Sequence, residues 1–255
     1  MPAICCNTTV LEHRQVATGI QLMTVAWPSQ HPAPKAGQFF MLRCWAANES
    51  PVLSRPISVH AYDRTTATVQ FLYEVRGEGT KKLAALTEGE TLRLVGPTGN
   101  GFDLEDTKGK KVALVGGGIG TAPLYQLAVE LNQAGTTPDY YAGFRERAYE
   151  LDKLSSVCGK VQLATDSGLE GVKGLVTQLL NPSDYDLVLC CGPEPMMRAV
   201  AKLCAEQGVR CVVSLERKMA CGIGACLGCT CHTSTGGRCV CKEGPVFDAQ
   251  EVFGQ

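Results

Sequence analysis

Hydrophobic and polar residues alternate at every second position through Val69, Phe71, Tyr73 and Val75, the pattern of a strand with one buried face. Phe39 to Leu42 and Thr91 to Val95 are strand-like in composition without strict alternation. Pro32-Ala-Pro34, Gly37, Pro51, Gly77, Gly79, Gly89 and Gly96-Pro97 break the chain between such runs. Many short strands punctuated in this way predict an all-β barrel or sandwich.

The period changes after the polar stretch Lys108-Gly-Lys-Lys111. Val112 to Val115 reads as a short buried strand. Gly116-Gly-Gly-Ile-Gly120 follows, and Thr121-Ala-Pro123 opens a helix with Leu124, Leu127, Ala128 and Leu131 on one face and Gly135 as its stop. Further strands are predicted at 139–144, 161–164, 187–191 and 211–215. A helix between the last two carries Met197, Val200, Ala201 and Cys204 on one face and stops at Gly208. Strands alternating with helices imply a doubly wound parallel sheet that binds ligands at the carboxyl ends of its strands. Beyond Glu216 the periodicity stops, and the Gly- and Cys-rich tail is too irregular to build a core of its own. The expected units are therefore 1–104, 105–215 and 216–255.

Composition narrows the classes. With 45% hydrophobic and 19% charged residues among 255, the chain can bury a core, which excludes disordered, collagen-like and coiled-coil readings. Its net charge of -1 provides no global field for nucleic acid or an anionic membrane. The first residues show no basic segment followed by an apolar one, and no run approaches the ~18 apolar residues of a membrane span. A reducing cytoplasm is expected, where clustered cysteines bind metal more often than they form disulfides. The chain has 14 cysteines, and Cys221, Cys226, Cys229, Cys231, Cys239 and Cys241 crowd into its tail.

Cys221, Cys226 and Cys229 fit C-x4-C-x2-C, with a fourth cysteine at Cys239 or Cys241. This is the spacing with which four thiolates hold a plant-type 2Fe-2S cluster. Gly222, Gly224 and Gly228 suit a loop whose N–H groups must approach sulfur closely. Four-thiolate zinc is the alternative, but the C-x4-C step and the glycines favour iron and sulfur. Cys231 and whichever of Cys239 and Cys241 is left over read as reduced, non-ligating thiols, and Cys204 and Cys211 as core residues.

The Gly116–Gly120 loop, between a strand and a helix, is a pyrophosphate cradle of backbone N–H groups. It departs from G-x-G-x-x-G at Thr121, and Phe144 is followed by Arg145 rather than by an acidic residue. Cys191, Gly192 and Pro193 close a later strand and are expected to face the same crevice. Arg145 and Arg147 lie where a 2′-phosphate could sit, which leaves NAD and NADP both open. In the first unit, Arg55-Pro-Ile-Ser58 offers forked donors and a hydroxyl to a phosphate or ring edge, and Gly77-Glu-Gly79-Thr80 is a phosphate-type turn.

Taken together, Arg55-Pro-Ile-Ser58, Gly79-Thr80, Gly116 to Pro123, Cys190-Cys-Gly-Pro193 and the terminal cysteines resemble the ferredoxin-reductase-like flavoproteins. The tail, Met219-Ala-Cys221-Gly-Ile-Gly-Ala-Cys226-Leu-Gly-Cys229 with Cys241-Lys-Glu-Gly-Pro-Val-Phe247, is similar to the electron-transfer subunits of NAD-dependent (class 1B) dihydroorotate dehydrogenases. The resemblance implies an N-terminal antiparallel β-barrel that binds FAD, a central doubly wound NAD domain and a small C-terminal 2Fe-2S module. It maps the flavin motif onto Arg55, Pro56, Ile57, Ser58, Leu72, Tyr73, Glu74, Gly79 and Thr80. The NAD site falls on Gly116, Gly118, Gly120, Thr121, Cys191, Gly192 and Pro193, with Cys191 near the nicotinamide. The resemblance makes Cys241 the fourth cluster ligand beside Cys221, Cys226 and Cys229, and it favours NAD.

A cluster passes single electrons and a nicotinamide takes a hydride, so a flavin is needed between them. The expected route runs from the FMN of a separate dihydroorotate dehydrogenase catalytic subunit, in a heterotetramer of two plus two, through the cluster and FAD to NAD+ in pyrimidine biosynthesis. No acid and base pair for oxidising a carbon substrate is evident in this chain. The rival readings are a differently partnered NAD(P)H oxidoreductase and a zinc-ribbon interaction protein.

Overall fold

A computed structural model describes residues 3–254. The first seven strands, β1 (Ile4–Ala17), β2 (Ile20–Ala26), β3 (Phe39–Arg43), β4 (Arg55–Ser58), β5 (Ala61–Asp63), β6 (Thr68–Glu74) and β7 (Thr91–Thr98), form one antiparallel sheet ordered β4-β3-β7-β1-β2-β6-β5. β4 packs against β6 and rolls the sheet into a barrel. The barrel is filled by Trp27, Phe40, Phe71, Met23, Leu42 and Leu94, and the Phe40 ring meets Trp27 and Phe71 edge-on at 4.9 and 5.6 Å. The short helix α1 (Glu78–Ala84) follows β6.

The second sheet, ordered β11-β10-β9-β8-β12-β13-β16 with β16 (Val246–Asp248) at its edge, has the predicted parallel core. Its elements are β8 (Val112–Gly117), α2 (Ala122–Gln133), β9 (Asp139–Phe144), β10 (Val161–Thr165), β11 (Val172–Lys173), β12 (Leu187–Cys191), α3 (Glu194–Glu206) and β13 (Arg210–Ser214). Both faces are covered, as a parallel sheet requires. Leu114, Tyr140, Leu189 and Cys191 pack under α2, whereas Val115, Tyr141, Val188 and Cys190 pack under α3 and the tail. Cys204 and Cys211 are buried, as the pattern of α3 implies.

The tail holds β14 (Thr230–Thr233), β15 (Gly236–Cys239), α4 (Val240–Glu243), β16 (Val246–Asp248) and α5 (Ala249–Phe253). Its core is borrowed. β16 joins the parallel sheet as an antiparallel edge strand, with Val246 opposite Ser214. Asn100 of the barrel donates from its backbone N–H to Gly244 O at 2.5 Å and from Nδ2 to Glu243 O at 3.0 Å.

Barrel and parallel sheet meet in a bonded seam. His60 Nδ1 donates to Ala122 O at 2.9 Å, and Gln126 N in the first turns of α2 donates to His60 O at 3.1 Å. The Gln126 side chain accepts from Tyr62 N at 2.8 Å and donates to Glu130 Oε1 at 2.9 Å, and Glu130 accepts from Ala36 N. Burial raises the Glu130 carboxyl above its ordinary range. Among the described residues, no helix is long and apolar enough to cross a membrane.

Candidate functional site

The cysteine loop runs from the end of β13 to β14 with few regular hydrogen bonds, and its glycines take the conformations that the chemistry requires. Gly222 and Gly224 have φ of +70° and +81°, a region in which a side chain is strained. Those turns aim N–H groups at sulfur. Ile223 N and Cys226 N donate to Cys221 Sγ at 3.5 and 3.4 Å, Gly228 N to Cys226 Sγ at 3.5 Å, Gly224 N to Cys241 Sγ at 3.1 Å, and Cys241 N to Cys229 Sγ at 3.4 Å. Burial raises the Cys221 thiol, but these N–H groups outweigh it and bring it down to about 6. Burial and the neighbouring Cys229 raise Cys241 to about 12.

The thiols come in pairs, Cys221 with Cys226 and Cys229 with Cys241, and the pairs are within electrostatic reach of each other. Two irons that each take two thiolates fit this two-plus-two donor set. Cys239 lies elsewhere, with its sulfur 3.6 Å from Thr230 Oγ1, and Cys231 is buried across the β14–β15 ladder from Arg238. The sequence pattern left Cys239 and Cys241 open; Cys241 lies beside Cys229 and within electrostatic reach of Cys221, a position that favours it over Cys239.

On the barrel, Arg55, Pro56, Ile57 and Ser58 make up β4, all half-buried. Arg55 lies across Gly79, where an added Cβ would sit 3.0 Å from the arginine Cδ and Nε. Arg55 Nε is buried without a hydrogen-bond partner, the state of a donor that awaits an anion such as a flavin pyrophosphate. Thr80 is already engaged, since its Oγ1 accepts from Arg76 N at 2.9 Å and Gly77 N at 3.0 Å and donates to Gly77 O at 3.0 Å. It therefore shapes the turn at Gly77–Gly79. Leu72 and Tyr73 turn to opposite sides. Leu72 packs against Ala122 and Ile119 of the parallel domain, while Tyr73 fills the barrel with its hydroxyl 3.0 Å from His13 Nε2, so Tyr73 offers the crevice only its backbone.

The two glycine loops predicted to share a crevice touch. A Cβ on Gly120 would overlap Gly192, and one on Gly192 would come within 3.0 Å of Gly117 N, so these backbones meet with no room for side chains. Gly118 has φ +52°, and Thr121 Oγ1 donates to Gly118 O at 2.9 Å, which fixes the turn into α2. Cys191 ends β12 opposite Gly116, while Pro193 is exposed and caps α3. Burial keeps the Cys191 thiol protonated, with Ser214 as its hydrogen-bond partner. Arg145 is exposed, and Arg147 is drawn to Glu170 at 3.3 Å.

Sequence reasoning missed Glu216. It follows β13, faces Arg76 and Glu74 of the barrel, and lies near Cys191 of the parallel sheet. Its side chain is open to solvent, yet enough protein surrounds it that desolvation raises its carboxyl above the usual range. That combination marks a cleft wall between the two domains. The only signal in the sequence was an acidic residue directly after a buried strand.

The family model described as the iron-sulfur cluster binding domain of dihydroorotate dehydrogenase B matches residues 216–253. The electron transfer subunit of dihydroorotate dehydrogenase B (NAD(+)) from Clostridium acetobutylicum is 44% identical, over 96% of this chain and 95% of that protein. The subunit of the same name from Clostridium perfringens is 41% identical, over 95% and 96%. The chain belongs to the family of dihydroorotate dehydrogenase B electron transfer subunits. Among solved structures, a chain of the NADH-dependent reduced ferredoxin–NADP oxidoreductase superposes with a TM-score of 0.82 at 26% identity, covering 96% of this chain and 89% of that one. The ferredoxin reductase of carbazole 1,9a-dioxygenase shares the fold at a TM-score of 0.66 and 19% identity, over 82% of this chain and 67% of that one. Membership in this family makes the chain an oxidoreductase component that works with FAD, a 2Fe-2S cluster and NAD beside a catalytic subunit.

Proposed function

We infer that this chain carries electrons from the FMN of a dihydroorotate dehydrogenase catalytic subunit to NAD+, with Cys221, Cys226, Cys229 and Cys241 holding the cluster. Arg55 to Ser58, the backbone of Leu72 to Glu74 and the turn at Gly79 and Thr80 hold FAD. The loops at Gly116 to Thr121 and Cys191 to Pro193 hold the dinucleotide. The observation that carries the reading is the paired arrangement of four thiols, supplied with N–H donors, beside a barrel strand whose buried Arg55 Nε awaits an anion. When bound, FAD supplies the exchange between hydride and single electrons, and the cluster supplies one-electron transfer.

The chain's own residues do the rest. Arg55 neutralises phosphate charge, and the Gly120–Gly192 contact lets backbone N–H groups approach a dinucleotide. Cys191, buried and neutral, lies beside Gly116 beneath the crevice and adds no charge there, and Glu216 places a carboxyl at the crevice mouth. The units 1–104, 105–215 and 216–255 are assigned to FAD, NAD and the cluster respectively. All 14 cysteines are unpaired, which supports a reducing cytoplasm as the site of action. A two-plus-two assembly with the catalytic subunit is the expected form.

Anaerobic co-purification tests the reading. The expected result is an FMN subunit that co-elutes, one FAD and one 2Fe-2S cluster per chain by absorption and iron assay, and dihydroorotate oxidation only in the complex. A colourless, zinc-containing chain, or fast dihydroorotate oxidation by this chain alone, overturns it.

A further inference from the structure

On β3, the strand beside that of Arg55, one side chain touches the backbone of the cysteine loop. Phe40 and Leu42 of β3 turn into the barrel, so Phe39 and Met41 face outward and join the buried cluster that holds Cys229, Cys231 and Cys241. Directly opposed residues of an antiparallel pair share a face of the sheet. Met41 lies opposite Pro56 and Phe39 opposite Ser58, so the outward face of β3–β4 presents both pairs toward the tail. Met41 is only 2% exposed, and the cysteine loop helps to cover it. A Cβ on Gly222 would lie 2.5 Å from Met41 Cγ and 2.7 Å from its Sδ, so the thioether chain rests on the bare Cα of the residue after Cys221.

We propose that Met41 is a positioning residue that seats the cysteine loop on the flavin strand and so fixes the separation across which cluster and flavin exchange electrons. The inference rests on the assignments made above, the cluster to Cys221, Cys226, Cys229 and Cys241 and the flavin to Arg55 to Ser58. Opposed Cβ atoms in such a pair are about 5 Å apart, so one side chain bridges from the loop backbone to the neighbour of Pro56. Methionine suits the task, being unbranched enough to lie flat on a glycine and polarizable enough to pack closely there. Electron exchange falls steeply with distance, and a shorter side chain would let the loop recede or leave a void beneath it. In each event one electron leaves one centre and one arrives at the other. No bond forms or breaks, and no group is transferred.

The test uses the complex with its catalytic subunit, mixed anaerobically with NADH in a stopped-flow spectrometer. The fast phase of flavin bleaching reports hydride arrival at FAD, the FMN being reached only through the cluster, and cluster bleaching reports the transfer that follows. Met41→Ala should keep its iron and FAD and bleach its flavin at the wild-type rate, while its cluster bleaches several-fold more slowly. Met41→Leu should restore the cluster rate. Wild-type cluster bleaching in an iron-replete Met41→Ala complex overturns the proposal. If Met41→Ala loses iron, the steric pair decides: Gly222→Ala should deplete iron and the added Met41→Ala should recover part of it, whereas no recovery refutes the contact. A wild-type complex that lacks flavin or iron would instead sink the assignments on which the inference stands.

Discussion

Replacing His60 with glutamine should flatten the acid limb of the stability profile. The imidazole is buried at the seam, 2% exposed, and stacks on Tyr125 at 5.0 Å and 26°. Its Nδ1–H is used on Ala122 O, and Nε2 has no partner, so a second proton would create a buried N–H with no acceptor. Burial lowers its pKa from 6.5 to about 4, with the Ala122 hydrogen bond and Glu150 opposing the shift and Lys153 adding to it. The folded value lies below the unfolded one, so the unfolded chain binds the extra proton. Stability is therefore unaffected above the unfolded value, falls as pH drops from 6.5 toward 4, and levels off below. The full effect is about 3 kcal/mol, of which about 2 kcal/mol is lost by pH 5. Glutamine keeps an N–H donor for Ala122 O and cannot titrate. Urea unfolding followed by circular dichroism at pH 7.5 and pH 5 should thus show a loss about 2 kcal/mol larger in wild type than in His60→Gln. The carboxyls of Glu130 and Glu216, both raised by desolvation, titrate in both proteins and drop out of the comparison. Equal losses in the two proteins would refute the reasoning.

Other expected outcomes follow from the same geometry. Cys241→Ser should abolish the cluster's absorption and lower bound iron, while Cys239→Ser should leave both unchanged, as visible spectra and iron assay will show. Gly120→Ala drives a methyl group into Gly192 and should abolish flavin reduction by NADH without loss of iron, measured by anaerobic titration. Arg55→Gln removes the charge that awaits phosphate and should weaken FAD retention by about 1.5–3 kcal/mol, read by gel filtration and fluorescence of the released flavin. Glu216→Gln should leave FAD and iron in place and alter the pH dependence of flavin reduction by NADH. An unchanged profile would remove Glu216 from the crevice chemistry.

Much of the site was legible because its parts are local. Strand, glycine turn and helix are contiguous from Val112 to Gln133, and Cys221, Cys226 and Cys229 sit close together in sequence at the C-x4-C-x2-C spacing within the iron-sulfur binding segment. What could not be read is set by distant packing. His60 acquires its role from Ala122, Met41 from Gly222 and Pro56, and Glu216 from Arg76. None of these pairings leaves a periodic trace. The choice between Cys239 and Cys241 belonged to the same class: both follow Cys229 at plausible spacing, and only the helical turn of α4 swings the second one toward the loop. β16 escaped because three residues are too few to show a strand period.

That last strand changes how the tail can vary. Ser214 pairs with Val246, and Leu215 N donates to Pro245 O at 2.8 Å, so the chain leaves and re-enters the parallel sheet at one point. Everything between is a loop buckled shut at its base, whose ends stay fixed whatever its length. The β14–β15 hairpin lies inside it, on the stretch from Cys229 to Cys241. Residues added or removed at the Ser234–Thr235 turn should therefore be absorbed in the hairpin, leaving the cysteines where they are. The metal-binding segment is in this sense a cassette clipped to a dinucleotide fold, free to change in length while its electrical position stays constant.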